Sequence, residues 1–138
     1  MKKVKFALKD PELSRAESVN ATEVGRGRYR VENVPFYVRG VSLGDVVTAK
    51  ERDGESWYGK TVEKSGNGTI RVFCKSGFAK DKGLEIISEL EKRGFTFELL
   101  GKSLAAGSIP EKYEDLKGLE SLLQPFVDEE CFYEIPDW

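Results

Sequence analysis

The sequence predicts an α+β protein, with a small antiparallel β-sheet or partial barrel over residues 1–68 and a ferredoxin-like βαββαβ unit over residues 69–138. The first half alternates apolar and polar side chains in short stretches separated by glycine turns, as strands do. The second half changes twice to the spacing of a helix. With 138 residues, 39% of them apolar, the chain can bury a core. These patterns leave open whether the two segments are separate modules or one continuous domain.

The first half is predicted to consist of short strands. Residues 4–8 alternate apolar side chains with lysines and Ala7, which gives the strand one apolar face. Residues 9–20 are polar and predict a loop, with a short helical turn around Pro11 as an alternative. Asp53-Gly54 predicts a hairpin, because glycine adopts the positive φ that such a turn requires. Pro35 makes residues 33–38 either an edge strand or a bend. The other predicted strands are residues 4–8, 28–31, 46–50, 56–62 and 69–75.

The second half begins with a predicted helix that Asp81 can cap. Gly94 ends this helix, because the chain there must turn into a left-handed conformation. Residues 95–99 then alternate as a strand. The apolar face of the helix comprises Leu84, Ile86, Ile87 and Leu90.

Residues 103–109 decide between two versions of this unit. As a strand, they complete the βαββαβ order; as a loop, they leave a plainer α+β sandwich. Pro110 suits the first turn of the second helix, and Pro125 ends that helix. Residues 131–135 predict the last strand. The apolar face of the second helix comprises Tyr113, Leu116, Leu119, Leu123 and Phe126.

The charge of the chain is unevenly distributed. The formal net charge is −2, but residues 1–102 carry 20 Lys and Arg against 15 Asp and Glu. Residues 103–138 carry 2 basic residues against 9 acidic ones. Such a division predicts a charged partner for the C-terminal quarter. The alternative is a solvated acidic face that serves solubility.

The residue composition excludes several kinds of catalytic and metal-binding site. The chain has no histidine, the commonest general base and metal ligand. Cys74 and Cys131 lie in alternating apolar stretches and predict two buried free thiols, with a disulfide as the alternative. Two cysteines cannot supply the four ligands of a zinc site. We find no apolar run that would form a membrane span or a signal peptide, and this predicts a cytoplasmic protein.

Two motifs carry a resemblance to a known family. Asn33-Val34-Pro35-Phe36 is followed by Gly40-Val41-Ser42-Leu43-Gly44-Asp45-Val46-Val47. These segments resemble the N-x-P-F and G-x-S-x-G-D-x-V motifs of a bacterial family, domain of unknown function family 4265. The resemblance continues at residues 65–72 and 104–110 and spans most of residues 22–135.

The family has no established activity. Some similar small bacterial proteins are immunity proteins, encoded beside the toxins of contact-dependent or polymorphic toxin systems, and the resemblance implies that role. The residues themselves predict structural roles for the motif: Asn33 bonds its own backbone in a turn, Gly44 adopts an unusual φ, and Asp45 accepts a hydrogen bond from a neighbouring N–H.

The acidic C-terminal quarter predicts a binding function. We expect a cytoplasmic immunity protein, not an enzyme, that neutralises a cognate toxin of the basic nuclease type by mimicking its polyanionic substrate. The prediction includes no catalytic residue, no metal and no cofactor. Tyr113, Phe132 and Tyr133 are candidate aromatic anchors, although Tyr113 and one of the other two are expected in the core. The predicted partner-binding residues are Glu111, Glu114, Asp115, Asp128, Glu129, Glu130 and Trp138.

A different class of function is the alternative. Arg26, Arg28 and Arg30 alternate on one strand with Tyr29 between the last two, and basic residues beside aromatics are typical of small barrels that bind nucleic acid. The acidic pI of about 5.4 argues against it, because nucleic-acid affinity depends largely on neutralising phosphates. The sequence does not predict an oligomeric state.

Overall fold

The structure is a computed structural model that describes residues 2–8, 16–77 and 83–136. The chain divides into two compact units, of which the first ends at Asn67 and the second begins at Gly68. Each unit contains its own β-sheet, and the two α-helices found among the described residues lie in the second unit. The protein is therefore of the α+β class, with strands predominating. The predicted assignment of residues 1–68 and 69–138 as modules or as one domain stays a prediction.

The first unit is a closed five-stranded barrel. Neighbouring strands are antiparallel, except that β1 closes the barrel by pairing in parallel with β5. The sequence predicts a small sheet or partial barrel; the parallel pair removes the remaining open edge. The strands are β1 (Lys2–Ala7), β2 (Ala16–Gly25), β3 (Arg28–Val31), β4 (Val46–Arg52) and β5 (Glu55–Glu63). The barrel core consists of Val4, Phe6, Val19, Ala21, Tyr29, Val31, Val41 and Val47.

One segment of the barrel differs from the sequence prediction, and another decides between two alternatives. Residues 16–20, predicted as a loop, form the first half of β2, because they pair with residues 3–7 of β1 and bury Val19. Residues 33–38, predicted as an edge strand or a bend, form no strand. The helical turn predicted around Pro11 lies outside the described residues. The predicted hairpin at Asp53-Gly54 is present, with φ of 53° and 79°.

The segment after Pro35 is held by one carboxylate. Glu17 on β2 accepts hydrogen bonds from three consecutive backbone N–H groups, those of Phe36 at 2.6 Å and of Tyr37 and Val38 at 3.0 Å. In a β-sheet, carbonyl groups of a neighbouring strand would accept hydrogen bonds from these N–H groups. Here the carboxylate of a single side chain accepts all three. This explains why an apolar, strand-like sequence turns into a loop.

The second unit is a four-stranded sheet in the order β7-β8-β6-β9, with every neighbouring pair antiparallel. Both helices pack against one face of it, and the core between them includes Ile70, Val72, Leu90 and Leu119. Residues 104–109 form a strand, as the βαββαβ order requires. The elements are β6 (Gly68–Cys74), α1 (Gly83–Glu91), β7 (Thr96–Leu100), β8 (Leu104–Ile109), α2 (Leu116–Leu123) and β9 (Cys131–Glu134).

The helices correct three details of the sequence prediction. Leu84, expected on the buried face of α1, is 51% exposed, and Leu116, expected on the apolar face of the second helix, is 38% exposed. The second helix begins at Leu116 and not at Pro110, because Asp115 has non-helical backbone angles and its carboxylate caps the helix by accepting from Gly118 N at 2.9 Å. Gly94 does follow α1 with φ of 94°, as predicted. Asp81, the expected cap of α1, lies outside the described residues.

Candidate partner-binding surface

The most distinctive motif of the sequence folds back on the chain itself. Asp45 is fully buried, with 0% of its surface exposed. Its carboxylate accepts hydrogen bonds from Ser42 N at 3.0 Å, Ser65 N at 2.8 Å and Lys64 Nζ at 2.7 Å. These three contacts compensate the burial of the charge. Asp45 therefore joins the loop before β4 to the segment after β5.

The rest of the motif is equally structural. Gly44 has φ of 87°, and a Cβ there would lie 3.0 Å from the Cβ of Ser65. Both Ser65 Oγ and Asn67 Nδ2 donate to the carbonyl of Leu43, at 2.7 and 2.9 Å. Asn33 Oδ1 accepts from Asn20 N at 2.8 Å. These side chains hold loops of the barrel in place, so the motif itself is not the candidate site.

The predicted acidic residues fall into two groups at opposite ends of the second sheet. β8 ends opposite the start of β6, whereas β9 begins opposite the end of β6. The two ends of this seven-residue strand are roughly 20 Å apart. The group after β8 is Glu111, Glu114 and Asp115, and the group before β9 is Asp128, Glu129 and Glu130. The expected single acidic patch is therefore corrected to two separate groups.

Within the two groups, some carboxylates also have local roles. Asp115 caps α2, as described above. Asp128 accepts hydrogen bonds from the backbone of Glu130 at 2.7 Å and of Cys131 at 2.8 Å, and this fixes the turn into β9. Glu130 accepts from Ser76 Oγ at 3.0 Å. All six carboxylates are exposed. Trp138, the seventh predicted residue, lies outside the described residues.

The candidate aromatic anchors differ in whether a partner could reach them. Tyr113 and Tyr133 pack against the core of the second unit, and the ring of Tyr113 meets that of Phe95 edge-on at 5.1 Å. Burial raises the pKa of Tyr133, and the nearby Glu120 carboxylate adds to the rise. Phe132 instead points to the other face of the sheet and is 45% exposed. Of these three residues, Phe132 is the one able to contact a partner.

Phe132 belongs to an apolar row that crosses all four strands of the sheet. Leu100 on β7 pairs with Leu104 on β8, which pairs with Phe73 on β6, which pairs with Phe132 on β9. The two phenyl rings contact each other with centroids 5.0 Å apart. Strand alternation places these four residues on the face opposite the helices. Phe132 and Leu100, at the two ends of the row, are 45% and 42% exposed.

The apolar row lies beside one of the two acidic groups. Lys75 N donates to Glu130 O at 2.8 Å, so the acidic loop (Asp128, Glu129 and Glu130) stands at the end of β6 that carries Phe73. Of the described residues, Lys75 and Lys102 also lie at this end. An apolar centre with a charged rim is the usual composition of a protein-binding surface. The sequence alone points to the acidic loop and to Phe132, but the row depends on the register of four strands.

The barrel carries a second candidate surface. Arg26, Arg28 and Arg30 are exposed, as the nucleic-acid alternative requires. Tyr29, however, faces the barrel core and is not available for stacking. The aromatic residue on the outer face is Trp57, which pairs with Lys5 on β1 and with Lys50 on β4. Sequence reasoning missed Trp57, although its position between Ser56 and Tyr58 in an alternating strand was the available signal.

Two cationic side chains lie close to the Trp57 ring. The Arg52 guanidinium lies 4.6 Å and Lys5 Nζ 5.9 Å from the ring centroid, within cation–π range. Acidic residues partly neutralise this surface: Lys5 pairs with Glu55 at 2.8 Å and Arg30 with Glu32 at 2.8 Å. At the end of the barrel, a hydrogen bond from Lys2 to Glu51 raises the pKa of Lys2. The surface therefore combines one stacking ring with a limited excess of positive charge.

A comparison with protein-family models settles the family. Residues 17–133 match the model described as domain of unknown function DUF4265. The chain belongs to the DUF4265 family. The match covers both the barrel motif and the second sheet. Among curated proteins no sequence matches the chain.

A solved structure has the same fold as this DUF4265 chain. It is the crystal structure of a hypothetical protein from Neisseria gonorrhoeae, with a TM-score of 0.76 and 18% sequence identity. The alignment covers 96% of this chain and 92% of that one. The likeness establishes a shared fold. Within residues 2–8, 16–77 and 83–136, no helix is long and apolar enough to cross a membrane, and no group of three acidic or cysteine side chains could hold a metal ion.

Proposed function

We propose that this DUF4265 protein is a non-enzymatic immunity protein that binds a cognate toxin and masks the toxin's active site. The toxin is a basic domain of the nuclease type, and the binding takes place in the cytoplasm. The binding surface consists of the apolar row and the acidic loop. The observation that supports the proposal is that the apolar row and the acidic loop lie at the same end of the second sheet.

The apolar row supports the proposal because Leu100 and Phe132 are exposed at its two ends, and contiguous apolar surface on a protein can mark an interaction site. Burial of Phe132 and Leu100 by a partner would supply affinity, since aromatic residues at the centre of an interface contribute most of its binding energy. The neighbouring Phe73 and Leu104 already support them from within the row. A partner therefore meets a surface whose side chains are held in place before binding.

The acidic loop supports the choice of a basic partner. Enzymes that cleave nucleic acids bind polyanions and are usually positive around the active site. Carboxylates beside the apolar row attract such a domain and raise its association rate. The second acidic group, near α2, lies at the far end of the sheet and is not part of the proposed contact.

The proposal is tested with the toxic domain encoded by the adjacent gene. Co-expression of that domain with this protein should restore bacterial growth. Phe132→Ser should weaken binding by about 30-fold, as expected for the loss of an aromatic anchor worth about 2 kcal/mol. The matched control is Leu84→Ser, which removes an equally exposed apolar side chain from α1. Calorimetry gives the dissociation constants, and urea unfolding checks that both variants are folded.

Two results would contradict the proposal. One is an adjacent gene product that is not toxic or that does not bind this protein. The other is a folded Phe132→Ser variant that binds and protects as well as the Leu84→Ser variant.

The surface around Trp57 favours a second candidate function, the binding of single-stranded nucleic acid by the barrel. Bases stack on exposed aromatic rings, and Lys5, Lys50 and Arg52 would contact the backbone phosphates. This candidate predicts a gel shift with a short oligonucleotide at low salt that disappears on Trp57→Ala. Absence of any shift by the unmodified protein at low salt eliminates it.

We also propose that the second unit has the ferredoxin-like βαββαβ fold. Two observations support this: the order strand, helix, strand, strand, helix, strand, and the antiparallel arrangement β7-β8-β6-β9.

A further inference from the structure

The two cysteines of the chain lie opposite each other on neighbouring strands. Cys74 is the last residue of β6 and Cys131 the first residue of β9, and the two are paired in the register of the sheet. Both are fully buried on the helix-covered face, and their sulfur atoms contact each other at 2.6 Å. The sequence predicts two buried free thiols, with a disulfide as the alternative, and the burial of both cysteines is confirmed.

Cys74 and Cys131 form a type of cross-strand pair that a disulfide can bridge. The next pair along the ladder, Lys75 and Glu130, is joined by a backbone hydrogen bond, and Cys74 N donates away from β9, to Ser103 O. Cys74 and Cys131 are therefore a non-hydrogen-bonded pair, in which Cα atoms lie about 4.5 Å apart. Disulfides span Cα separations of about 4.4–6.8 Å. The backbone can therefore accept the bond without rearrangement.

We propose that Cys74 and Cys131 are a modification site that forms a reversible intramolecular disulfide. The oxidant is a low-molecular-weight disulfide. One cysteine thiolate attacks a sulfur of the oxidant, forms a mixed disulfide and releases one small thiolate. The second cysteine thiolate attacks the protein sulfur of the mixed disulfide and releases the other small thiolate. The two cysteines lose two protons and two electrons, and the oxidant is reduced to two thiols.

The position of β9 explains how buried thiols can react and what the bond would change. β9 has four residues and lies at the edge of the sheet, so its local opening exposes Cys131 without unfolding the unit. Closing a bond between positions 57 residues apart restricts the unfolded chain strongly. The bond also fixes Phe132, the residue next to Cys131. The modification is independent of the proposed function and can be measured without any partner.

The test incubates the reduced full-length protein with cystamine. We expect loss of both free thiols, a mass lower by that of two hydrogen atoms, and no covalent dimer. The midpoint of thermal unfolding should rise by about 10 °C, and dithiothreitol should reverse the change. Cys131→Ser and Cys74→Ala should each show neither the mass loss nor the stabilisation, because either substitution removes one of the two thiols that the bond requires.

Three results would overturn the inference. They are two thiols that persist after prolonged incubation, cystamine adducts on both cysteines, and a disulfide between two chains. The thiol count and mass of the unmodified sequence decide the matter even if a variant does not fold.

Discussion

The two units use the same chemical group, the carboxylate, in opposite ways. In the barrel, Asp45 and Glu17 each accept several hydrogen bonds from the chain and hold loops together. In the second unit, the carboxylates of the two acidic groups are exposed. Asp115 caps α2, Asp128 fixes the turn into β9, and Glu130 accepts a hydrogen bond from the hydroxyl of Ser76. The difference depends on geometry, because a carboxylate becomes structural where several backbone N–H groups converge on it.

This difference separates residues that specify the fold from residues that can specify a partner. The family motif of the barrel stands out in the sequence, yet its side chains point inward and contact the chain. The acidic loop is less distinctive in sequence but lies on the surface beside exposed apolar residues. For this chain, a recognisable motif marks a structural requirement, and the candidate binding surface lies elsewhere.

Among the substitutions that test this difference between the two units, we expect Asp45→Asn to destabilise the protein most. This change removes the charge opposite Lys64 and leaves the donors of Ser42 and Ser65 with a weaker acceptor. We expect the free energy of unfolding to fall by about 3 kcal/mol. Urea unfolding followed by tryptophan fluorescence measures it. The control is Asp53→Asn in the exposed hairpin turn, where asparagine also suits the positive φ and stability should change by less than about 0.5 kcal/mol. Equal effects of the two substitutions would refute the structural role of Asp45.

A smaller effect is expected from Glu17→Gln. The neutral amide keeps one acceptor oxygen but cannot accept all three backbone N–H groups, so the loop after Pro35 is less well held. We expect a loss of about 1.5 kcal/mol. Glu23→Gln on the same strand is the matched control, because Glu23 is exposed. If Glu17→Gln is as stable as this control, the carboxylate does not hold the loop.

Much of the fold follows from local sequence patterns. The hairpin at Asp53-Gly54 and the glycine after α1 are confirmed, because each depends on local backbone preferences. Residues 104–109, which the sequence left open between a strand and a loop, form a strand through pairing with β6 and β7. In the barrel, the outcome depends on contacts distant in sequence. Residues 16–20 become a strand through pairing with β1, and residues 33–38 become a loop through Glu17.

The candidate surface was predictable only in part. The excess of acidic residues and the candidacy of Phe132 follow from the sequence. The acidic residues are separated into two groups because β8 ends and β9 begins at opposite ends of the second sheet. This separation cannot be predicted without knowing the strand order. The apolar row likewise requires the register of four strands, and so does the pairing of Cys74 with Cys131.

The most direct test of the central claim compares the two acidic groups. Calorimetry would measure the affinity of the toxic domain encoded by the adjacent gene for two double variants, Glu129→Lys with Glu130→Lys, and Glu111→Lys with Glu114→Lys. Both change the net charge of the chain equally. We predict that the first weakens binding at least about 10-fold, mainly at low salt, and the second less than about 2-fold. Equal weakening by both variants, or weakening by the second alone, would contradict the assignment of the acidic loop as the binding surface.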